Sequence, residues 1–422
     1  MVEPPRGGRG LSGCVLYIPR MSEEGPRLMA AAFRSLGVDA RVSPPSTART
    51  RALAARHLSG EECYPAHVTL GNFLRVLEDP GCDPERTCFF LPNAEGPCRF
   101  GQYAHLFRKI FRDMGRPEVR VISPSSRYGY EELRELDAAF ERRAWRALVT
   151  ADILRKLRLM HRPYELEPGA VDRVVDAGLA DCERVLADPD LSRGPLMRGL
   201  VAALTGVRDR LRALPRDPGE RPLIGVVGEI FCRLNEFSNE YVVRRIERLG
   251  GEAWLSDITE WVHYTRVMRR ELLAEQGRRL SGQALKMLLA ERVQTADEGV
   301  LLAPFREDFA GREEPHDMRR FLDAADPYLP FRGCLGEMTL SVAKVLWLHE
   351  LGIDGIVDVS PFTCMNGIIS EAVYPRMSRD LGGLPIRSLY FDGTEADLDR
   401  DLGMFLEMAR AQRRRRAAAA SA

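Results

Sequence analysis

Apolar residues along this chain fall into short blocks separated by longer stretches with helical spacing. The blocks at residues 14–20, 39–44, 87–93 and 118–125 are bounded by Gly, Pro, Asp or Asn, and this pattern predicts buried strands. Between them, residues 24–37, 63–79 and 98–115 repeat apolar positions three and four apart, as helices packed on one side do. A second series follows, with strands predicted at 222–229, 251–256, 354–362 and 385–392. Its helices are predicted at 239–250, about 260–290, 364–380 and 401–412. Short strands alternating with helices point to parallel sheets, because a parallel crossover needs about a helix's length of chain. Residues from about 130 to 215 keep helical spacing with no strand candidate. They end at the Pro- and Gly-rich stretch 214–222, which reads as a linker.

The predicted fold class is therefore α/β, with two Rossmann-like (flavodoxin-like) parallel-sheet lobes and a helical insert. The predicted boundaries are a disordered N-terminus at 1–12, a first lobe at 13–130, a helical segment at 131–220, a second lobe at 221–411 and a basic, Ala-rich solvated tail at 412–422. A length of 422 residues suits this division.

Charge narrows the function classes. Acidic and basic residues balance at 61 each, which argues against coating nucleic acid or binding a membrane through a polybasic surface. No apolar run approaches the ~18 residues of a spanning helix, and the first residues lack the apolar core of an export signal. A cytoplasmic protein with neither nucleic acid nor membrane as partner is expected. Only four of the 61 basic residues are lysines (Lys109, Lys156, Lys286 and Lys344), which reads as coding bias more than chemistry. Residues 8–13 match GxGxxG, yet they precede a strand instead of following one, so no helix terminus is there to hold a pyrophosphate.

Nine cysteines remain to be explained. None are spaced as CxxC, so any metal site must gather thiolates from distant segments. Cys14, Cys88 and Cys232 lie in or beside apolar strands and read as core, Cys82 and Cys182 carry no special context, and Cys334 is either a bystander or a fourth ligand. Cys63, Cys98 and Cys364 each open a predicted helix beyond a strand, next to Gly and Pro. The carboxyl ends of parallel strands are where open α/β sheets bind ligands. Amides of a helix's first turn favour thiolate over thiol and can donate to cluster sulfides. Three thiolates suit an iron–sulfur cluster or zinc; the alternative is that all three fill the core.

The segments GEECYP (60–65), EGPCRFGQY (95–103) and PFTCMNG (361–367) resemble the cysteine motifs of the 2-hydroxyacyl-CoA dehydratase family. They are more similar still to its relatives among CoA-substrate-specific enzyme activases and double-cubane-cluster proteins. Residues 227–239, 250–264 and 336–365 resemble that family as well, so the likeness runs from Cys14 to Arg410. Asn366 stands where the family commonly has proline, and Cys232 where it has an aliphatic or hydroxyl residue. The resemblance implies a [4Fe–4S] cluster, alone or as part of a double cubane, held by Cys63, Cys98 and Cys364 in the interlobe cleft. It also implies a separate ATP-dependent activase that delivers an electron, with a related cluster-bearing subunit or a second copy of the chain, and an acyl-CoA, as further partners. Glu229, Arg233 and Asn235 suit capping and turn roles; in the family context they become the candidate catalytic residues of that cleft. Low-potential electron transfer or reduction is the expected function. The alternatives are a catalytic dehydratase subunit and a non-enzymatic two-lobe binder of a small ligand.

Overall fold

The computed structural model describes residues 11, 13–93, 96–124, 138–334, 336–394 and 396–421. The stretch expected to be disordered, 1–12, lies outside these residues except for Leu11. The chain divides into two compact units, Met1–Ala147 with Glu183–Leu196 and Leu148–Cys182 with Met197–Ala422.

In the first unit β1 (Val15–Ile18), α1 (Glu24–Arg34), β2 (Asp39–Val42), α2 (Ala48–Ala54), α3 (Tyr64–Glu78), β3 (Thr87–Phe90), α4 (Tyr103–Asp113) and β4 (Arg120–Ile122) succeed one another. The strands form a wholly parallel sheet in the order β2-β1-β3-β4. Side chains alternate between faces along β3. Cys88 joins Leu16, Ala30 and Phe33 on one face, while Phe89 joins Phe73, Phe107 and Phe111 on the other. The Phe73 and Phe89 rings stack with centroids 4.1 Å apart. Burying each such ring stabilises the unit by roughly 1.5–3 kcal/mol. The short α2 was not expected from the sequence; its start is fixed where the Thr47 N–H donates to the Thr50 hydroxyl at 3.0 Å.

Three helices follow, α5 (Ala138–His161), α6 (Ala170–Ala187) and α7 (Arg193–Arg212). The expected helical segment is thus present in its described part. It is not a third unit, because each of its helices runs from one unit into the other. The expected linker at 214–222 is fastened: the Asp217 N–H donates to the Tyr164 carbonyl at 2.8 Å, and Arg216 lies over the Tyr164 ring at 4.9 Å.

The second unit contains β5 (Leu223–Gly228), α8 (Ile230–Leu234), α9 (Val242–Arg248), β6 (Glu252–Leu255), α10 (Ile258–Glu275) and α11 (Gly282–Leu302). It continues with α12 (Met318–Asp323), α13 (Met338–Glu350), β7 (Gly355–Pro361), α14 (Met365–Asp380), β8 (Ile386–Phe391) and α15 (Leu398–Ser421). Its sheet is also wholly parallel, in the order β6-β5-β7-β8, which repeats the strand order of the first sheet. Every residue of β5 and β7 is buried. A Cβ on Gly225 would lie 2.5 Å from a Leu348 methyl, so this glycine lets α13 lie flush on β5. Helix α13 was not expected because it is apolar nearly all round and carries little helical periodicity; such helices are the buried ones. The last helix runs on through Arg413–Arg416, which were expected in a solvated tail. Arg414–Arg416 are exposed as expected, while two of the run are paired, Arg413 with Glu220 at 2.5 Å and Arg416 with Asp354 at 3.1 Å. Among the described residues no helix is long and apolar enough to cross a membrane.

Candidate functional site

In each sheet the strand order reverses beside the first strand, β1 or β5, and the carboxyl ends beside such a reversal are where open α/β sheets bind ligands. In the second unit this point carries Glu229 from the end of β5 and Cys364 from the end of β7. In the first it carries the loop from β3 to Cys98. Cys63 departs from the expectation: α2 intervenes after β2, so this cysteine follows a helix and not a strand end.

The three cysteines nevertheless share one backbone setting. Cys63, Cys98 and Cys364 are N-cap residues of the helices they precede, with φ/ψ of −61/138°, −66/133° and −67/120°. Extended backbone at the cap followed by helical residues turns the first-turn amides toward the cap side chain. Cys98 begins a 3₁₀ turn, Arg99–Gln102, that runs on into α4. Cys63 and Cys364 are buried and Cys98 is partly exposed. Within the first unit, the Arg99 guanidinium donates to the Glu61 carbonyl at 2.8 Å, tying the Cys98 turn to the Cys63 loop. Thr363, just before Cys364, is held at φ +61°, a strained conformation for a β-branched residue that costs about 1–3 kcal/mol. None of the nine cysteines, all described, forms a disulfide. Cys63 and Cys98 belong to the first unit and Cys364 to the second. Within either unit, among the described residues, no three Cys, His, Asp or Glu side chains are grouped as a metal site.

Around the end of β5 the polar residues are densely committed. The backbone at Gly228 turns through φ +112°, and a Cβ there would lie 2.3 Å from the Val359 carbonyl oxygen. Only glycine can end the strand this way. Both carboxylate oxygens of Glu229 then accept amides of α8, from Phe231 at 3.0 Å and Cys232 at 2.7 Å. The Asn235 side-chain oxygen accepts from Ser238, N–H at 2.8 Å and hydroxyl at 2.6 Å. These are the capping and turn roles that residue type alone allows. Arg233 differs. It is 5 % exposed, and among the described residues its Nε has no hydrogen-bond partner and its guanidinium no ion pair.

Three carboxyl groups surround that cation electrostatically: Glu229, Glu337 and Asp358. Glu337 accepts the Ile230 N–H at 3.3 Å, and Asp358 accepts the hydroxyls of Tyr374 at 2.5 Å and Ser360 at 3.0 Å. Loss of water and the neighbouring Glu229 push the Glu337 carboxyl up to about 8. Burial pushes Asp358 up to about 6, against the hydrogen bonds from Tyr374 and Ser360. Chemically, the cluster sets three carboxyls, each pushed up by loss of water, beside one buried guanidinium. Sequence spacing did not reveal Glu337, Asp358, Ser360 or Tyr374. The available signal was Asp358 itself, a carboxylate inside an otherwise apolar strand.

A pH dependence of stability follows. Glu337 and Asp358 titrate higher in the folded chain than their ordinary values near 4, so the folded state binds more protons between the two values. Their stabilising contribution is complete below about pH 4 and is lost as pH rises to about 8. Water reaches part of the half-buried Glu337, so the effect is expected to be modest. The denaturation midpoint should fall between pH 5 and 8 and fall less in Glu337→Gln; a wild-type midpoint that rises over this range would refute the arrangement.

Compared with known proteins, the chain matches no family model and has no significant match among curated sequences.

Proposed function

We propose that this chain is a [4Fe–4S] protein of the 2-hydroxyacyl-CoA dehydratase and activase-related kind, serving low-potential electron transfer or reduction fed by a separate ATP-dependent activase. The observation that carries this reading is the common N-cap conformation of Cys63, Cys98 and Cys364. Three soft thiolates, each at the start of a helix, fit the donor set of one cubane with one iron left open. The proposed cleft requires both units to contribute, Cys63 and Cys98 from one and Cys364 from the other. When bound, such a cluster supplies one-electron chemistry at low potential. The chain's own part would be to present the three sulfurs at helix starts, where the dipole favours thiolate over thiol, and to fasten the Cys98 turn through Arg99.

The carboxyls near Arg233 favour one second reading, a catalytic subunit of a 2-hydroxyacyl-CoA dehydratase. Expelling a hydroxyl group as water needs a proton, and a carboxyl such as Glu337 that stays protonated near neutral pH can supply one. Dehydration of a 2-hydroxyacyl-CoA in the presence of activase, ATP and reductant would decide for this second reading.

The test is anaerobic purification followed by iron and sulfide assay. A brown protein with about four irons per chain is expected from one cubane. Cys63→Ser, Cys98→Ser and Cys364→Ser should each lose most of the iron while keeping the wild-type circular dichroism. A colourless, iron-free chain with intact thiols would end the proposal.

A further inference from the structure

A second feature of the second unit stands apart from the cysteines and rests on nothing proposed for them. At the amino end of β5, away from Glu229, lies a cavity of about 340 Å³ lined by Asp217, Glu220, Arg221, Arg410, Arg413 and Arg414 among others. Arg410, Arg413 and Arg414 are three and four residues apart on α15, so they share one face of the helix. Arg221 enters from the residues that lead into β5.

The charges do not cancel. Arg221 is held by Asp217 at 3.1 Å, and Arg413 by Glu220 at 2.5 Å and by Asp354, outside the lining, at 3.7 Å. Arg410 takes the Leu249 carbonyl at 2.7 Å and Glu407, which is outside the lining. Arg414 is exposed and has no ion pair or hydrogen bond among the described residues. The lining therefore carries four guanidiniums against two carboxylates. The Nε of Arg221 is also buried without a hydrogen-bond partner among the described residues. Gly250, in the cavity wall at φ +84°, leaves room beside Arg410: a Cβ there would stand 3.1 Å from its guanidinium. Among the described residues no aromatic ring lines the space, so recognition rests on charge and hydrogen bonds.

We propose that this cavity binds a small phosphate-bearing anion, a phosphate ester or diphosphate. The volume lies at the small end of the ~300–1,000 Å³ usual for small-molecule sites. Guanidiniums that approach from two chain segments suit an anion whose oxygens radiate tetrahedrally, since each fork can take a separate oxygen. A carboxylate offers two oxygens in a single plane. Asp217 and Glu220 are then available to accept hydroxyl groups carried by the same ligand.

Calorimetric titration of the full chain with pyrophosphate, ADP and citrate tests this. Pyrophosphate and ADP should bind, more weakly as salt rises, and citrate at least tenfold less tightly. Arg414→Ala, which removes an exposed and unpartnered side chain, should weaken pyrophosphate binding roughly tenfold or more with an unchanged unfolding midpoint. Arg414→Glu should weaken it further. No binding of either phosphate compound, equal affinity for citrate, or wild-type affinity in both Arg414 variants would each overturn the assignment.

Discussion

Gly228→Ala should lower the stability of the second unit by about 3 kcal/mol or more, read as a lower denaturant midpoint, or prevent its folding. Two costs add. An L side chain at φ +112° is strained by about 1–3 kcal/mol. The new Cβ would also lie 2.3 Å from the Val359 oxygen, 2.6 Å from its nitrogen and 2.7 Å from an Asp358 carboxylate oxygen, so β5 and β7 would have to part. Overpacking of that kind typically costs a further 1–3 kcal/mol or so. Gly206→Ala is the control. It lies inside α7 with nothing within 4 Å of an added Cβ, and it should leave stability unchanged or raise it by about 0.5–1 kcal/mol. Equal midpoints for the two variants would show that the close approach at Gly228 does not matter. A destabilised Gly228→Ala chain should also lose the geometry that seats Glu229 over α8, because the two residues are adjacent.

Lys344→Met should cost about 3–5 kcal/mol, the range for breaking a buried ion pair from one side. Lys344 is 1 % exposed, its ammonium 2.6 Å from Glu260 and also bonded to Glu314. Glu314 in turn accepts from Lys156 at 3.0 Å and from the Trp254 indole at 3.0 Å. The paired cations hold the Glu314 carboxyl well below its ordinary range despite its burial. Removing Lys344 leaves the buried Glu260 carboxylate without its counter-charge and Glu314 with Lys156 alone. Adding Glu260→Gln to Lys344→Met should recover part of the loss in a double-mutant comparison. If the double variant is no more stable than the single one, the penalty comes from lost packing and not from an orphaned charge. Lys344→Arg should not rescue, because a planar fork cannot take the place of a compact ammonium that reaches two carboxylates from one point.

These lysines show where reading the sequence succeeded and where it stopped. All eight described strands fall within the predicted blocks, because a buried parallel strand is a local apolar run whatever its neighbours. The chain's scarcity of lysine was set aside as coding bias. Two of its four lysines, Lys156 and Lys344, nevertheless sit in this network, each paired with Glu314. Helices α2, α8, α12 and α13 escaped for different reasons. α2, α8 and α12 are too short to show a period, and α13 is too apolar to show a face. At the site, Glu229 and Asn235 stood as candidate catalytic residues with capping and turn roles as the alternative, and their side chains make hydrogen bonds of the capping and turn kind. Glu337 and Asp358 could not be found by spacing, since their relation to Arg233 is made by the sheet, across more than a hundred residues of chain.

The three passages of α5, α6 and α7 across the unit boundary bear on how the molecule can be made and taken apart. The amino-terminal unit is not finished when its sheet has been synthesised. It still lacks Glu183–Leu196, which includes the Glu183 carboxylate that grips Arg27 at 2.6 Å. On the ribosome this half must wait for most of the helical stretch to emerge before it can close, and by then the chain has already supplied Leu148–Cys182 to the other half. No single cut in the gene therefore separates both halves whole: one after Ala147 leaves the first without Glu183–Leu196, and one after Leu196 leaves the second without Leu148–Cys182.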